Sequence, residues 1–148
     1  MFGELQDLYQ EVILDHSKSP RNFLKLDVAN RIGEGHNPLC GDRVTVYLLL
    51  ENGIIQEVSF QGEGCAISKA SASMMTECLK GKSREEALAV FRKFHEMTTT
   101  GTENADELGK LAAFAGVNKF PARVKCATLP WHAIATILEG KQNVVSTE

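Results

Sequence analysis

Residues 43–60 carry the pattern that most restricts how this chain can fold. Two segments rich in Val, Thr, Leu and Ile, 43–50 and 54–60, flank the dipeptide Asn52-Gly53. Asn-Gly readily adopts the two positive φ angles of a type I′ turn, so the pattern predicts a β-hairpin. The later segments show helical periodicity, over residues 65–79, 83–94, 108–115 and 121–138. A hairpin followed by helices is typical of an α+β domain, with about three antiparallel strands packed against four to five helices.

The other elements are predicted from apolar periodicity and from Gly, Pro and Thr. Apolar residues at steps of three and four over 5–16 predict an amphipathic helix, and 25–37 fits a short edge strand or an extended loop. We expect 61–64 to end the second strand of the hairpin and the threonine-rich segment 98–102 to be a linker. Pro130 is expected to interrupt or restart the last helix.

Composition and charge narrow the class of protein. The chain has 148 residues, of which 43% are hydrophobic and 24% charged, which predicts a single domain over 1–140 and a flexible polar tail over 141–148. A net charge of −3 gives no overall attraction to nucleic acid or anionic lipid. The start of the chain lacks signal-peptide features, and no apolar stretch approaches the ~20 residues that span a bilayer. We therefore expect a cytoplasmic protein with neither nucleic acid nor membrane as a partner.

Cysteines of a cytoplasmic protein are interpreted first as thiols or metal ligands. Cys40-Gly41-Asp42 places a thiol and a carboxylate two residues apart around a flexible glycine, so both could reach one cation. Cys65 begins a predicted helix, where unpaired backbone N–H groups favour thiolate over thiol. Cys126 is predicted to enter a helical segment in the same manner, after residues 120–125.

Two basic residues precede Cys126, and a fourth cysteine lies elsewhere. Arg123 and Lys125 would favour the Cys126 thiolate, or they could orient a partner through charge. Cys78 lies thirteen residues into the helix that Cys65 begins, roughly 20 Å away and on another face, so one metal ion cannot bind both. We interpret Cys78 as a small buried hydrophobic residue.

The histidines add little to a metal site. His16 and His132 are interpreted as core or surface groups and His95 as a residue at a helix end, while His36 is near enough in sequence to Cys40 to be considered as a ligand. Three thiolates and one carboxylate would make a four-coordinate zinc site, and sulfur donors also suit iron–sulfur clusters. Because no C-x-x-C pair is present, the residues alone leave open a shared metal site or scattered, inert cysteines.

Several motifs together resemble the SufU branch of the IscU/NifU-N-terminal family of iron–sulfur cluster assembly proteins. The motifs are Asp15-His16 with Ser19-Pro20-Arg21-Asn22, Cys40-Gly41-Asp42-Arg43, the segment 62–75 and the segment 120–129. Two departures from the IscU pattern point to the SufU branch. Lys125 stands where IscU scaffolds carry a histidine, and an extra segment lies around 94–106.

The resemblance implies a zinc ion held by Cys40, Asp42, Cys65 and Cys126. It further implies that Cys40 accepts sulfur from the persulfide of a pyridoxal-phosphate cysteine desulfurase of the SufS type, for use by downstream iron–sulfur assembly proteins. Asp42 is a harder donor than thiolate and could leave the zinc, which would free Cys40 to attack. The alternatives are a scaffold for a [2Fe–2S] cluster and a structural zinc protein without sulfur chemistry.

Overall fold

The structure is a computed structural model. It describes the backbone of residues 2–38, 41–100, 103–140 and 145–146, and the side chains of 10–38, 41–100, 108–117 and 119–140. The elements, in chain order, are α1 (Phe2–Lys18), β1 (Arg31–Asn37), β2 (Asp42–Glu51), β3 (Ile54–Glu63), α2 (Ala66–Leu79), α3 (Arg84–Thr100), a 3-10 helix (Glu103–Lys119), α4 (Pro121–Leu138) and β4 (Val145–Ser146). The predicted α+β class, with a small antiparallel sheet and helices, is confirmed. Within the described residues, no helix is both long and apolar enough to cross a membrane.

The sheet has the order β3-β2-β1-β4, in which the first three strands are antiparallel and β4 pairs in parallel with β1. The predicted hairpin turn is present, because Asn52 and Gly53 both have positive φ angles, of 55° and 75°. β1 pairs with both β2 and β4, so the weak pattern over 25–37 yields a strand inside the sheet. β4 lies within the predicted flexible tail, and the other residues of 141–148 lie outside the described residues.

The prediction that 61–64 ends the second hairpin strand is wrong, because β3 continues to Glu63. Val44 pairs with Gly62 and Arg43 with Glu63. A Cβ atom at Gly62 would lie 2.2 Å from the Arg43 carbonyl oxygen. The glycine therefore allows the two strands to approach closely instead of breaking the pairing.

The helices cover one face of the sheet and enclose the core. α4 packs against β1, β2 and α2, and its Trp131 is fully buried and stacks on Phe94 of α3 at a ring-centroid distance of 4.6 Å. At the start of α3, Ser83 and Glu86 form a reciprocal capping box, with two N···O distances of 3.1 Å.

Two helix boundaries differ from the sequence analysis. α3 runs through Thr98–Thr100 instead of ending in a linker there, and the Thr99 and Thr100 hydroxyls each donate to a carbonyl four residues earlier, at 2.7 Å. α4 is one continuous helix across Pro130. Pro130 is buried between buried residues of the same helix, so packing on both sides holds the helix together despite the missing N–H.

The segment predicted as a helix over 108–115 is a 3-10 helix that passes Gly116 and ends at Lys119. Its large buried apolar residues recur every third position, and they are Leu108, Leu111, Phe114 and Val117. A 3-10 helix has three residues per turn, so this spacing aligns the four side chains on one buried face.

Candidate metal centre

Three of the four predicted ligands converge in the structure. They are Asp42, the first residue of β2; Cys65, immediately before α2; and Cys126, in the second turn of α4. One ligand atom from each lies within 4.8 Å of the others. Asp42 is fully buried, Cys126 is 4% exposed and Cys65 is half-buried. The sheet and two helices thus bring residues from distant parts of the sequence to one point.

Cys65 is the N-cap of α2, as its position in the sequence predicts. Its Sγ accepts a hydrogen bond from the Ser68 backbone N–H at 3.4 Å. Its own backbone N–H donates to Asp42 Oδ1 at 2.8 Å, while Asp42 Oδ2 lies 3.6 Å from Cys65 Sγ. One carboxylate oxygen is therefore held by the backbone, and the other faces the sulfur atoms.

The environment of Cys65 favours its thiolate. A hydrogen bond with Cys126 is the largest influence, and together with the backbone N–H groups of Ser68 and Ile67 it lowers the pKa of Cys65 to about 7. Burial and the negative charge of Asp42 act in the opposite direction. In the metal-free protein, Cys65 is therefore about half thiolate near pH 7, the form that binds metals and attacks sulfur.

Gly64 makes room for the Asp42 carboxylate. Its φ angle is 152°, and a Cβ atom built on it would lie 2.2 Å from Asp42 Oδ1. Any larger residue would push the carboxylate away from the Cys65 N–H. The sequence analysis assigned no such role to Gly64, although its position directly before a candidate ligand was visible.

Asn37 is a second contact of the site that the sequence analysis missed. Its side chain is fully buried, and its Nδ2 lies 3.8 Å from Cys126 Sγ, within the range of an N–H···S hydrogen bond. It is paired with Asp42 across the β1–β2 ladder. No local motif marks Asn37, because its partner is 89 residues away in sequence.

Cys126 differs from its prediction in one respect. The N-cap of α4 is Phe120, so Cys126 does not occupy the helix start as Cys65 does, and Asn37 Nδ2 lies 3.8 Å from its Sγ. Upstream of Cys126, the Arg123 guanidinium lies over the Phe120 ring, 4.7 Å from the ring centroid.

The sulfur side of the site opens into a groove of about 740 Å³. The groove is lined by Arg123 and by both Cys65 and Cys126.

Cys40 lies outside the described residues. It belongs to the connection between β1 and β2, whose terminal residues Asn37 and Asp42 are paired. The described residue His36 is not part of the Asp42, Cys65 and Cys126 cluster, and it lines a separate cavity on the sheet with Glu34 and Arg43.

Cys78 and His16 are packing residues. Cys78 is half-buried against the core, and burial raises the pKa of its thiol. His16 is 3% exposed, its Nδ1 lies 2.7 Å from Ser73 Oγ, and its Nε2 lies 3.6 Å from the Glu77 carboxylate. These observations agree with the interpretation of Cys78 as an apolar side chain and of His16 as a core group.

The donor set and its spacing fit a zinc ion. At Zn–S distances near 2.3 Å and Zn–O distances near 2.0 Å, tetrahedral ligands lie roughly 3.5 to 3.8 Å apart. The separation of 3.6 Å between Asp42 Oδ2 and Cys65 Sγ meets this requirement, and the limit of 4.8 Å on all three donors is about 1 Å wider than it. Asp42, Cys65 and Cys126 can therefore supply three of four ligands.

The family model for the NifU-like N-terminal domain matches residues 8–127 of this sequence. The chain belongs to the NifU-like N-terminal domain family. The matched range contains all three converging ligands and Cys40. The family resemblance drawn from the motifs is thereby confirmed.

Relatives within the NifU-like family carry two different functional names. The zinc-dependent sulfurtransferase SufU of Bacillus subtilis is 47% identical over 134 residues, which cover 89% of this chain and 90% of that protein. The iron–sulfur cluster assembly scaffold protein IscU of Streptococcus pyogenes is 42% identical over 143 residues, which cover 95% and 89%. The solved structure of FiSufU from Fervidobacterium islandicum AW-1 superposes with a TM-score of 0.80 at 38% identity, covering 88% of this chain and 93% of that one.

Proposed function

We propose that this protein is a zinc-dependent sulfur acceptor and transfer protein for iron–sulfur cluster assembly. In this role it takes sulfur from a pyridoxal-phosphate cysteine desulfurase of the SufS type through Cys40 and passes it to downstream assembly proteins in the reducing cytoplasm. The observation that carries the proposal is the convergence of Asp42, Cys65 and Cys126 within 4.8 Å. The similarity to the Bacillus subtilis sulfurtransferase supports it.

The zinc ligands in this proposal are Asp42, Cys65 and Cys126, with Cys40 as the fourth. Bound zinc would supply a positive centre that keeps cysteine sulfurs deprotonated at neutral pH. The chain itself orients the donors, since Asp42 is fixed by the Cys65 N–H and Cys65 by the Ser68 N–H. Asp42 is the single hard donor among sulfur ligands, which makes it the weakest of the set.

The sulfur-transfer step is a thiol exchange. The Cys40 thiolate attacks the terminal sulfur of the desulfurase persulfide, and a new S–S bond forms on Cys40. The S–S bond of the donor breaks, and the donor cysteine leaves as a thiolate, so no external oxidant or reductant is required. The groove beside Cys65 and Cys126 supports this chemistry, because it leaves the sulfur side of the site open to a partner.

The first test measures metal content together with desulfurase activity. Elemental analysis of protein purified without added metal should give about one zinc per chain, the stoichiometry of a single four-ligand site. Adding the protein to a cysteine desulfurase should increase the rate of sulfide release, and Cys40→Ala should abolish the increase. Cys78→Ala is the matched control and should retain it. Equal loss in both variants, or zinc without any effect on the desulfurase, would overturn the proposed role of Cys40.

A second candidate function is a scaffold for a [2Fe–2S] cluster, which is favoured by the 42% identity to a protein named as a scaffold. A scaffold should retain iron and acid-labile sulfide after anaerobic reconstitution and desalting. Lys125→His restores the residue type of IscU scaffolds next to Cys126. Retention of a cluster by this variant but not by the original chain would support the sulfur-transfer proposal.

A further inference from the structure

β1 presents a regular series of inward-facing residues to α4. Gly33, Gly35 and Asn37 are the buried positions of the strand. A Cβ atom at Gly33 would lie 2.6 Å from Ile137, and one at Gly35 would lie 2.9 Å from Leu129. Strand and helix are therefore in close contact along these two glycines.

Asn37 is the next inward position, and it lies opposite Cys126. The first two inward positions of β1 are glycines, and the third carries the Asn37 amide. The amide Nδ2 is 3.8 Å from Cys126 Sγ. Asn37 is also the ladder partner of Asp42. The residue therefore connects a candidate ligand from α4 with a candidate ligand from β2.

We propose that Asn37 is a positioning residue of the metal centre, which holds Cys126 Sγ in place and tunes it as a ligand through an N–H···S hydrogen bond. The inference rests on the metal site of the proposed function. Groups that hydrogen-bond to metal ligands fix ligand orientation, and their loss typically lowers metal affinity 10- to 100-fold. Loss of the Asn37 amide should lower metal affinity by this full amount. The side chain is fully buried, so water cannot readily replace the lost donor.

The hydrogen bond should also change the electronic character of the sulfur. A donor aimed at a thiolate withdraws electron density from it, so removing the donor should make Cys126 a more electron-rich ligand. In cobalt(II)-substituted protein, the sulfur-to-metal charge-transfer band should then move to lower energy. A loss of packing alone would weaken binding without this shift.

The test compares two uncharged variants that lack the amide donor. Asn37→Leu keeps a side chain that branches at Cγ but is larger, and Asn37→Ala leaves a cavity, so an effect common to both variants reports the lost hydrogen bond. Asn30→Ala is the control, because Asn30 is another β1-proximal asparagine that bonds the Leu50 backbone through both side-chain atoms, at 2.8 and 2.9 Å. Zinc affinity is measured by competition with a chromophoric chelator, and cobalt spectra are recorded on the same proteins.

We expect both Asn37 variants to bind zinc 10- to 100-fold more weakly, with the cobalt band at lower energy, while Asn30→Ala stays within twofold of the original chain. If one Asn37 variant fails to fold, the zinc affinity and cobalt spectrum of the other variant test the inference. Unchanged affinity in a folded variant, or weaker affinity without the band shift, would overturn the inference. Failure of the original chain to bind zinc would instead count against the proposed function.

Discussion

The Cys65 backbone N–H donates to Asp42 Oδ1 over 2.8 Å, so one candidate ligand orients another before any metal binds. The bond joins the start of β2 to the start of α2 across 23 residues of sequence. It uses an N–H group that helix geometry leaves without an intrahelical partner. The carboxylate of this candidate ligand therefore also has a structural role.

Asp42→Ala should destabilise the metal-free protein, because it leaves the Cys65 N–H without its acceptor. A fully buried donor left without an acceptor costs about 1 to 3 kcal/mol in free energy of unfolding, and the half-buried Cys65 N–H should fall at the low end of this range. Urea denaturation in the presence of a chelator measures the change. Asp27→Ala, at an exposed position, is the control and should change stability by less than about 0.5 kcal/mol. Equal stability of the two variants would contradict the structural role of Asp42.

Gly64→Ala should reduce both stability and zinc affinity, since the new methyl group would meet the Asp42 carboxylate at 2.2 Å. The φ angle of 152° adds backbone strain of about 1 to 3 kcal/mol. Gly81→Ala is a matched control, because Gly81 also has a positive φ, of 88°, but nothing lies within 4 Å of its Cβ position. Zinc affinity should fall in Gly64→Ala alone, and a similar fall in both variants would refute the steric explanation.

Cys65 should react with iodoacetamide in the metal-free protein with a midpoint near pH 7, the value about which its thiol titrates. Mass spectrometry of the alkylated peptides separates it from the other cysteines. Cys78, whose pKa is raised by burial, should react more slowly and only at higher pH. Cys126→Ala should raise the Cys65 midpoint, because it removes the hydrogen bond with Cys126 that is the main cause of the lowered pKa. An unchanged midpoint would contradict that cause.

Acidification should destabilise the metal-free fold through His16. Burial is the main reason that the pKa of His16 is lower in the folded state than its ordinary value of 6.5. The unfolded state then binds more protons between these two pKa values, so the stabilising contribution is complete above about pH 6.5 and is lost as the pH falls toward the folded pKa. The slope of unfolding free energy against pH, measured from 7.5 to 5 in urea, should be smaller in His16→Gln. An equal slope in His16→Gln and the original chain would mean that other titrating groups cause the loss of stability in acid.

Local patterns in the sequence were sufficient for the elements whose conformation is set by neighbouring residues. Asn52-Gly53 determined the hairpin turn, and Ser83 with Glu86 determined where α3 starts. The glycines before Cys65 indicated that Cys65 lies at the start of a helix. The predictions failed where packing overrode local preference, as at Pro130 inside α4 and at Gly62 inside β3.

The sequence by itself determined the fold class, the family and the residue types of a metal site, because these depend on periodicity, turn residues and motifs within short segments. Tertiary structure decided which groups meet: Asp42 with the Cys65 N–H, Gly64 with the Asp42 carboxylate, and Asn37 with Cys126. Such contacts depend on how β1, β2, α2 and α4 pack. The contact between Asn37 and Cys126 spans 89 residues of sequence. It depends on the register of β1 against β2 and on the glycines that let β1 lie close to α4. No short segment of the sequence contains both of these conditions.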